Sequence, residues 1–413
     1  VAYTTLFYKC TFVFNSIELV MKYYQIDCFS INMKFWKCLA VWPDPNASRL
    51  YHYYSKTFLT IFLVVYNIMF SINFFFLPKQ LDIFIEDLIF YFTELATSSK
   101  ALTLFFMHSK IVNLLNTLES NIFQPNTAEG LEIIKKAKTF NRVYWRIIAV
   151  VSIISHYTHV LSPLLIHILY STKLELPICN YFFLPKKVKE MFIYPLYIYQ
   201  SLGMDFHMFY NVNIDTFFLG LVVLTIAQLD VLDGKLRKVT DHTEKDDASE
   251  EMFDTEQEAL VKINNCIKHF DEISKFCNLI EDAFSFCMFA QFSMASSIIC
   301  VCLFRFTMTA PFQYYIFLAT YIFIMMIQIF VPCFFGTRIM DKSNKLSFAI
   351  YDCDWTLRTR RFKSNLRLFV ERANKPLSIT GGKMFLLSLT TFTSIMNSAY
   401  SFFTLLQYMQ TRE

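Results

Sequence analysis

What most constrains this chain is the absence of charge over long windows. Residues 57–77, 283–304, 306–337 and 384–411 contain no Asp, Glu, Lys or Arg. Each is at least as long as the roughly 20 residues a helix needs to cross the hydrocarbon core of a bilayer. Water is absent there, so a spanning segment must satisfy its own N–H and C=O groups, which a helix does unaided. Three further windows complete the set. Residues 147–172 are uncharged apart from histidines, 191–229 carry Asp205 and Asp215, and 81–107 carry Asp82, Glu86, Asp87 and Glu94 near one end and Lys100 near the other. Composition agrees, with 17% of residues charged where a soluble domain carries about 25%. The 47 Phe against 7 Gly argue for helices rather than an outer-membrane barrel, whose turns and alternating strands need another composition. The expected fold is an all-α membrane protein with seven transmembrane helices, and an odd number of crossings puts the termini on opposite sides.

Orientation follows from where Lys and Arg fall between the spans. The N-terminal segment and the even-numbered loops hold 29, the odd-numbered loops and the C-terminal tail hold 7, with Lys100 and Arg146 set aside at span positions. The N-terminus is therefore expected in the cytoplasm and the C-terminus outside, the reverse of a G-protein-coupled receptor. The chain then divides into a cytoplasmic segment at 1–56, helices 1–4 within 57–229 and cytoplasmic extensions at 230–279. Helices 5 and 6 follow within 280–335, then a cytoplasmic helical region at 336–382 and helix 7 at 383–410. The sequon Asn46-Ala47-Ser48 is cytoplasmic on this reading and stays unmodified. Residues 1–21 are apolar but interrupted by Lys9 and Glu18, and lack a small-residue cleavage site, so they do not read as a cleaved signal peptide.

Two cytoplasmic stretches stand out. Residues 241–258 hold nine acids against Lys245 alone, which reads as a solvated, mobile loop. Residues 346–374 read as one amphipathic helix, with Arg358, Arg360, Arg361, Lys363, Arg367 and Arg372 beside Trp355, Phe362, Leu366 and Phe369. Such a helix suits either anionic lipid or packing against another subunit. Pro376 and Gly381-Gly382 then break the chain.

Enzyme chemistry finds little support. No phosphate-binding glycine loop, Gly-x-Ser-x-Gly elbow or His-Glu-x-x-His helix is present. His156 and His159 share a helix face, but the other histidines are dispersed, so an ordinary polar contact or a ligand-facing position is expected rather than a metal. The 11 cysteines form no Cys-x-x-Cys pair, and a net charge of +4 is too small to imply nucleic acid. No cofactor is expected. Glu94 and Asp215 are intramembrane acids, for which partners are expected at Lys100 or Arg146 and at Asn211 or Asn213 respectively.

The last seventy residues carry a recognisable pattern: Trp355, the basic helix, Arg372-Ala373-Asn374-Lys375-Pro376-Leu377-Ser378-Ile379-Thr380-Gly381-Gly382, Phe385, Ser388, and Ala399-Tyr400-Ser401-Phe402-Phe403-Thr404-Leu405-Leu406-Gln407. This resembles the C-terminal signature of insect odorant receptors. Upstream, Leu39-Ala40-Val41-Trp42-Pro43 resembles the family's glycine-hydrophobic-Trp-Pro box with Ala40 where Gly is usual, and Asn211-Val212-Asn213-Ile214-Asp215-Thr216 resembles its fourth-span pattern. Gustatory receptors share the fold but typically end in Thr-Tyr, five apolar residues and Gln-Phe. Here six residues separate Tyr400 from Gln407 and Tyr408 follows, which favours the odorant branch. A short acidic loop stands where the family's co-receptor has an insertion, so a ligand-tuning subunit is expected.

The resemblance implies a ligand-gated, non-selective cation channel of four subunits, formed with the odorant receptor co-receptor in the plasma membrane of olfactory neuron dendrites. Its pore would be lined by the seventh span, with Tyr400, Thr404 and Gln407 as pore and gate residues. Thr404 takes the constriction, where Val is common, and its hydroxyl would hold water better than a dewetting gate. The subunit anchor would include Trp355, Phe362, Leu366 and Phe369. A volatile, apolar ligand would bind in the outer half of spans two, three, four and six. The lining residues are Leu88, Tyr91, Phe92 and Leu95, then His156, His159, Val160 and Pro163, then Tyr199, Gln200, Gly203, Met204 and His207, and last Phe317 and Tyr321. Aromatics and Met204 in such a site select by shape and dispersion.

Overall fold

A computed structural model describes residues 25–42, 48–240, 251–309 and 312–410. The first 24 residues, Pro43, the Asn46 sequon and the acids between Asp241 and Glu250 lie outside the described residues. The elements are helices α1 (Ser30–Cys38), α2 (Arg49–Phe75), α3 (Leu81–Phe106), α4 (His108–Leu118), α5 (Ala128–Tyr170), α6 (Lys186–Met191), α7 (Ile193–Arg237), α8 (Glu251–Arg305), α9 (Phe312–Tyr351) and α10 (Arg360–Ala373). A hairpin of strands β1 (Thr380–Gly381) and β2 (Phe385–Leu386) precedes α11 (Leu389–Gln410).

Among the described residues five helices, α2, α5, α7, α8 and part of α9, are long and apolar enough to cross a membrane. With α3, whose acids interrupt its hydropathy, and α11, they form a seven-helix bundle. Several run far past the need: 55 residues in α8 reach about 80 Å at 1.5 Å per residue. The surplus projects from one end of the bundle, here the anchor end, where α10 also lies. The segment between α5 and α7 closes the opposite end, the mouth.

α7 is the axis. Its apolar window is 94% buried, against 17% for α2 and α5, as expected of a helix hydrophobic on every side. It packs on α3, α5, α8 and α9. The segment expected to be cytoplasmic also meets α7: Trp36 and Phe29 are fully buried around Phe217, and Asn32 Nδ2 donates to the Asn213 carbonyl at 2.8 Å and Thr216 Oγ1 at 2.9 Å. Those aromatics cannot remain in water, so α1 seats beside the span instead of lying free.

At the anchor end a polar knot joins four segments. Gln25 Nε2 donates to the Phe123 carbonyl at 2.6 Å, Gln228 Nε2 donates to that carbonyl at 2.9 Å and to Gln25 Oε1 at 3.2 Å, and His269 Nε2 lies 3.0 Å from Gln228 Oε1. Burial, reinforced by Lys235 nearby, pushes His269 down from the ordinary 6.5 to about 3, so the ring is neutral and donates to Gln228.

Several expectations are corrected here. The helix read over 346–374 is broken: α9 ends at Tyr351, and α10 starts at Arg360 behind a Thr359 cap. The break is held by competing polar bonds, Arg237 to Asp352 and Asp354 N–H to Thr240 Oγ1 at 3.2 Å. Trp355 sits in that break. The acidic stretch is helical from Glu251, and Glu256 accepts from the Thr359 N–H at 3.2 Å. Phe362 and Phe369 are fully buried in this chain's own core, Phe369 against Phe270 at 5.4 Å. They hold α10 onto α8 and offer no surface to another subunit, while Leu366 and Trp355 are only partly covered. The Glu256 contact also puts the basic head of α10 roughly 40 Å along α8 from Ala283, where the uncharged window starts.

Helix 7 does not begin at 383 either. Residues 379–387 form the hairpin, wedged between α8 and α9, with Gly382 N–H donating to the Ser285 carbonyl at 2.8 Å. Gly382 has φ +60°, and a Cβ on Gly336 would lie 2.1 Å from the Leu387 carbonyl oxygen, so both sites require glycine for the close approach.

Candidate functional site

The mouth half of the bundle has its own cluster, separate from the main core. Tyr66 and Phe70 of α2, Tyr197 of α7, and Leu174, Leu176, Ile178, Cys179 and Tyr181 of the 171–185 segment form its buried centre, with Phe90, Tyr91, Tyr199 and Met204 packed around it. The segment is drawn inward because helix side chains satisfy its backbone. Gln200 accepts from Ile178 N–H at 3.2 Å and donates to the Cys179 carbonyl at 2.9 Å. His159 Nε2 bonds the Pro177 carbonyl at 2.9 Å, and Asn73 Oδ1 accepts from Phe182 N–H at 2.7 Å.

α2 contributes through a widened turn. Thr60–Val65 is π-helical, and π turns release carbonyls from the regular ladder. The Ile61 carbonyl accepts from the Tyr199 hydroxyl at 2.8 Å, and the Phe62 carbonyl bonds His207 Nε2 at 2.9 Å. The other ring nitrogen of His207 bonds the Glu94 carboxylate. Glu94 therefore pairs with His207 rather than with Lys100 or Arg146. Lys100, 1% exposed, pairs with Asp215 at 2.6 Å and donates to Asn211 Oδ1 at 2.5 Å, so Asp215 is bonded across to α3 and not within its own helix. His156 faces Asp205 at 2.8 Å. Among the described residues no group of His, Cys, Asp or Glu is arranged to hold a metal.

The expected lining residues divide. Tyr91 stacks near Phe74 at 5.2 Å and Phe70 at 5.7 Å. A second aromatic wall joins Phe90, His159, Phe317 and Tyr321, with ring centroids 5.4–6.4 Å apart and the Thr93 and Tyr321 hydroxyls bonded. Phe92 packs on the main core, Leu88 and Pro163 are half-buried, and the Val160 carbonyl takes the Tyr197 hydroxyl. Gly203 lies under Tyr66, where a Cβ would come within 2.2 Å of the ring. Leu95 is 37% exposed and leaves the set: the inward stripe of α3 runs through Asp87, Tyr91, Glu94 and Ser98, one position round from the face inferred from apolarity. The cluster also takes in residues outside the expected set, among them Tyr66, Phe70, Phe90, Thr93, Tyr181 and Tyr197. Register signals Phe90 and Thr93, which flank Tyr91 and Phe92 on α3.

On α11 the gate candidates Tyr400, Thr404 and Gln407 are all exposed. So are Thr390, Ser394, Asn397 and Ser401, which with Thr404 recur at four and three residues on one face. An open cleft of about 550 Å³ follows this stripe.

Among the described residues, six long helices around a buried seventh, α7, with an aromatic, sparsely polar interior, define a multi-pass helical membrane protein. Residues 80–400 match the family model of the 7tm odorant receptors, and the chain belongs to that family. It is similar to Odorant receptor 2a of Drosophila melanogaster, 26% identical over 212 residues that make up 51% of this chain and 53% of the relative. It is also similar to Odorant receptor 67c of the same fly, 31% identical over 34% of this chain and 35% of the relative, and to Odorant receptor 10 of Aedes albopictus, 24% identical over 46% and 49%. The aligned part thus spans about half the length or less of these curated relatives. Among solved structures, the insect olfactory receptor OR5 from Machilis hrabei in complex with eugenol superposes with a TM-score of 0.78 over 93% of this chain and 99% of that one, at 17% identity. That likeness shows the fold.

Proposed function

We propose that this chain is the ligand-tuning subunit of a heteromeric, odour-gated, non-selective cation channel in the plasma membrane of olfactory neuron dendrites. Its N-terminus is cytoplasmic and its C-terminus extracellular, so that the mouth faces outward. It assembles with the odorant receptor co-receptor into a four-subunit channel, binds an apolar volatile among α3, α5, α7 and α9, and contributes α11 to the pore.

The observation that carries this reading is the stripe on α11. Thr390, Ser394, Asn397, Ser401 and Thr404 share one face and are all exposed in the isolated subunit. A row of polar side chains gains nothing from hydrocarbon; it calls for water, and its spacing suits a helix facing a common axis. The family and the separate aromatic cluster at the mouth support the ligand half of the reading.

The test is thiol accessibility in the open channel. A charged methanethiosulfonate reagent should block current in a Ser401→Cys subunit and leave Phe403→Cys, on the opposite face, unaffected. Block at Phe403→Cys alone would remove α11 from the pore in this orientation.

A further inference from the structure

Tyr66 lies at the centre of the mouth cluster. It is 2% exposed, yet among the described residues its hydroxyl meets no hydrogen-bond partner. Three of its neighbours hold other partners. His207, whose ring lies 4.9 Å from that of Tyr66, uses one nitrogen on Glu94 and the other on the Phe62 carbonyl. The Tyr199 hydroxyl is spent on Ile61, and Gln200 on the backbone of the 171–185 segment. The ring itself is fixed, because it occupies the space that any side chain at 203 would need. An oriented, buried donor is thus left without an acceptor at the floor of the cluster that holds Tyr91, Tyr199 and Met204.

Buried polar groups in native proteins are nearly always paired, and each exception asks for an explanation. A structural one is weak here, since phenylalanine would fill the same volume without leaving an unmet group.

From this, and resting on the odour-channel reading above, we infer that Tyr66 is a specificity-determining residue whose hydroxyl donates to a carbonyl oxygen of the ligand, so that the preferred volatiles are ketones, aldehydes or esters. A carbonyl oxygen only accepts and therefore matches a lone donor. An alcohol or amine brings protons of its own that must also be placed. The hydrocarbon remainder of the ligand meets Phe70, Tyr91 and Met204. A site that hydrogen-bonds one ligand group discriminates against analogues lacking it far better than an apolar wall does.

The experiment uses the full chain co-expressed with its co-receptor under voltage clamp. Ketones and esters are compared with hydrocarbons of matched shape, the hydrocarbon being scored by the current it evokes or by its competition with the ketone. Tyr66→Phe should raise the ketone concentration for half-maximal current roughly three- to tenfold and leave the hydrocarbon unchanged. Gly203→Ala, which displaces the ring with its hydroxyl intact, should also lower the ketone preference. An equal shift for both ligand classes, no shift for the ketone, or a wild-type channel opened only by volatiles without a carbonyl overturns the assignment and leaves the channel reading standing. Silence of the wild-type pair to every volatile, with both chains labelled at the surface, overturns that reading and this one together.

Discussion

Ala40 sits at φ +62°, a left-handed conformation that costs a residue with a Cβ about 1–2 kcal/mol. It closes α1 and turns the chain so that Trp42 stacks on Trp36 at 5.4 Å. The glycine usual in this box is thereby explained. Ala40→Gly should leave the melting temperature of the purified protein level or slightly higher, whereas the β-branched Ala40→Val should lower it by roughly 1–3 °C. Equal behaviour of the two would show that the turn is not constrained. His269 makes a second test at this scale. Its folded pKa is near 3, below the ordinary 6.5, so the unfolded chain takes up a proton on acidification before the folded one does. Stability from this group is complete above about pH 6.5 and is lost as pH falls toward 3. Thermal melts across that window should fall less steeply in His269→Gln than in the wild type; identical slopes would rule the group out. Neither feature was legible in the sequence. Ala40 could be seen to depart from the box, but not why glycine is wanted, and His269 is one buried residue in a long helix whose partner Gln228, with Gln25 and Phe123 behind it, is far away in the chain.

The elements themselves were largely written in the charge-free windows, since hydrocarbon leaves a chain few alternatives to a helix. Their ends were not. Helices α5, α7, α8 and α9 run well past their apolar windows into polar sequence, because tertiary packing at the anchor end extends them. The break at 352–359 was hidden for the converse reason, as its cause lies in Arg237 and Thr240 on α7 and the loop after it. Faces were legible to within about one residue: Tyr91 and Met204 do pack on the mouth cluster, while Leu95 is exposed. Pairing between elements was least legible, as Lys100–Asp215 shows. Removing one member of a buried ion pair costs roughly 3–5 kcal/mol, while replacing both with apolar residues is close to neutral. Lys100→Met should therefore reduce surface expression sharply, and Lys100→Met with Asp215→Leu should restore most of it. A double variant no better than the single one would mean that the pair is not what joins α3 to α7.

For the whole molecule, the buried α7 and the hairpin seat around Gly336 form a frame common to the whole subunit, while the mouth cluster and the α11 stripe provide two distinct surfaces. Ligand choice and assembly should accordingly separate. Tyr91→Ala or Met204→Ala should change which volatiles evoke a response, with co-purification of the co-receptor unchanged; loss of assembly in these variants would place the two residues in the frame instead. The central claim is that this chain tunes a channel it does not form alone. The measurement that tests it most directly is whole-cell voltage clamp in cells expressing this chain with and without the co-receptor, challenged with a panel of volatiles. The account predicts an odour-evoked cation current in the paired cells only. An odour-evoked current of equal size from this chain alone would contradict it, by making α11 and its Thr404 a sufficient pore and gate.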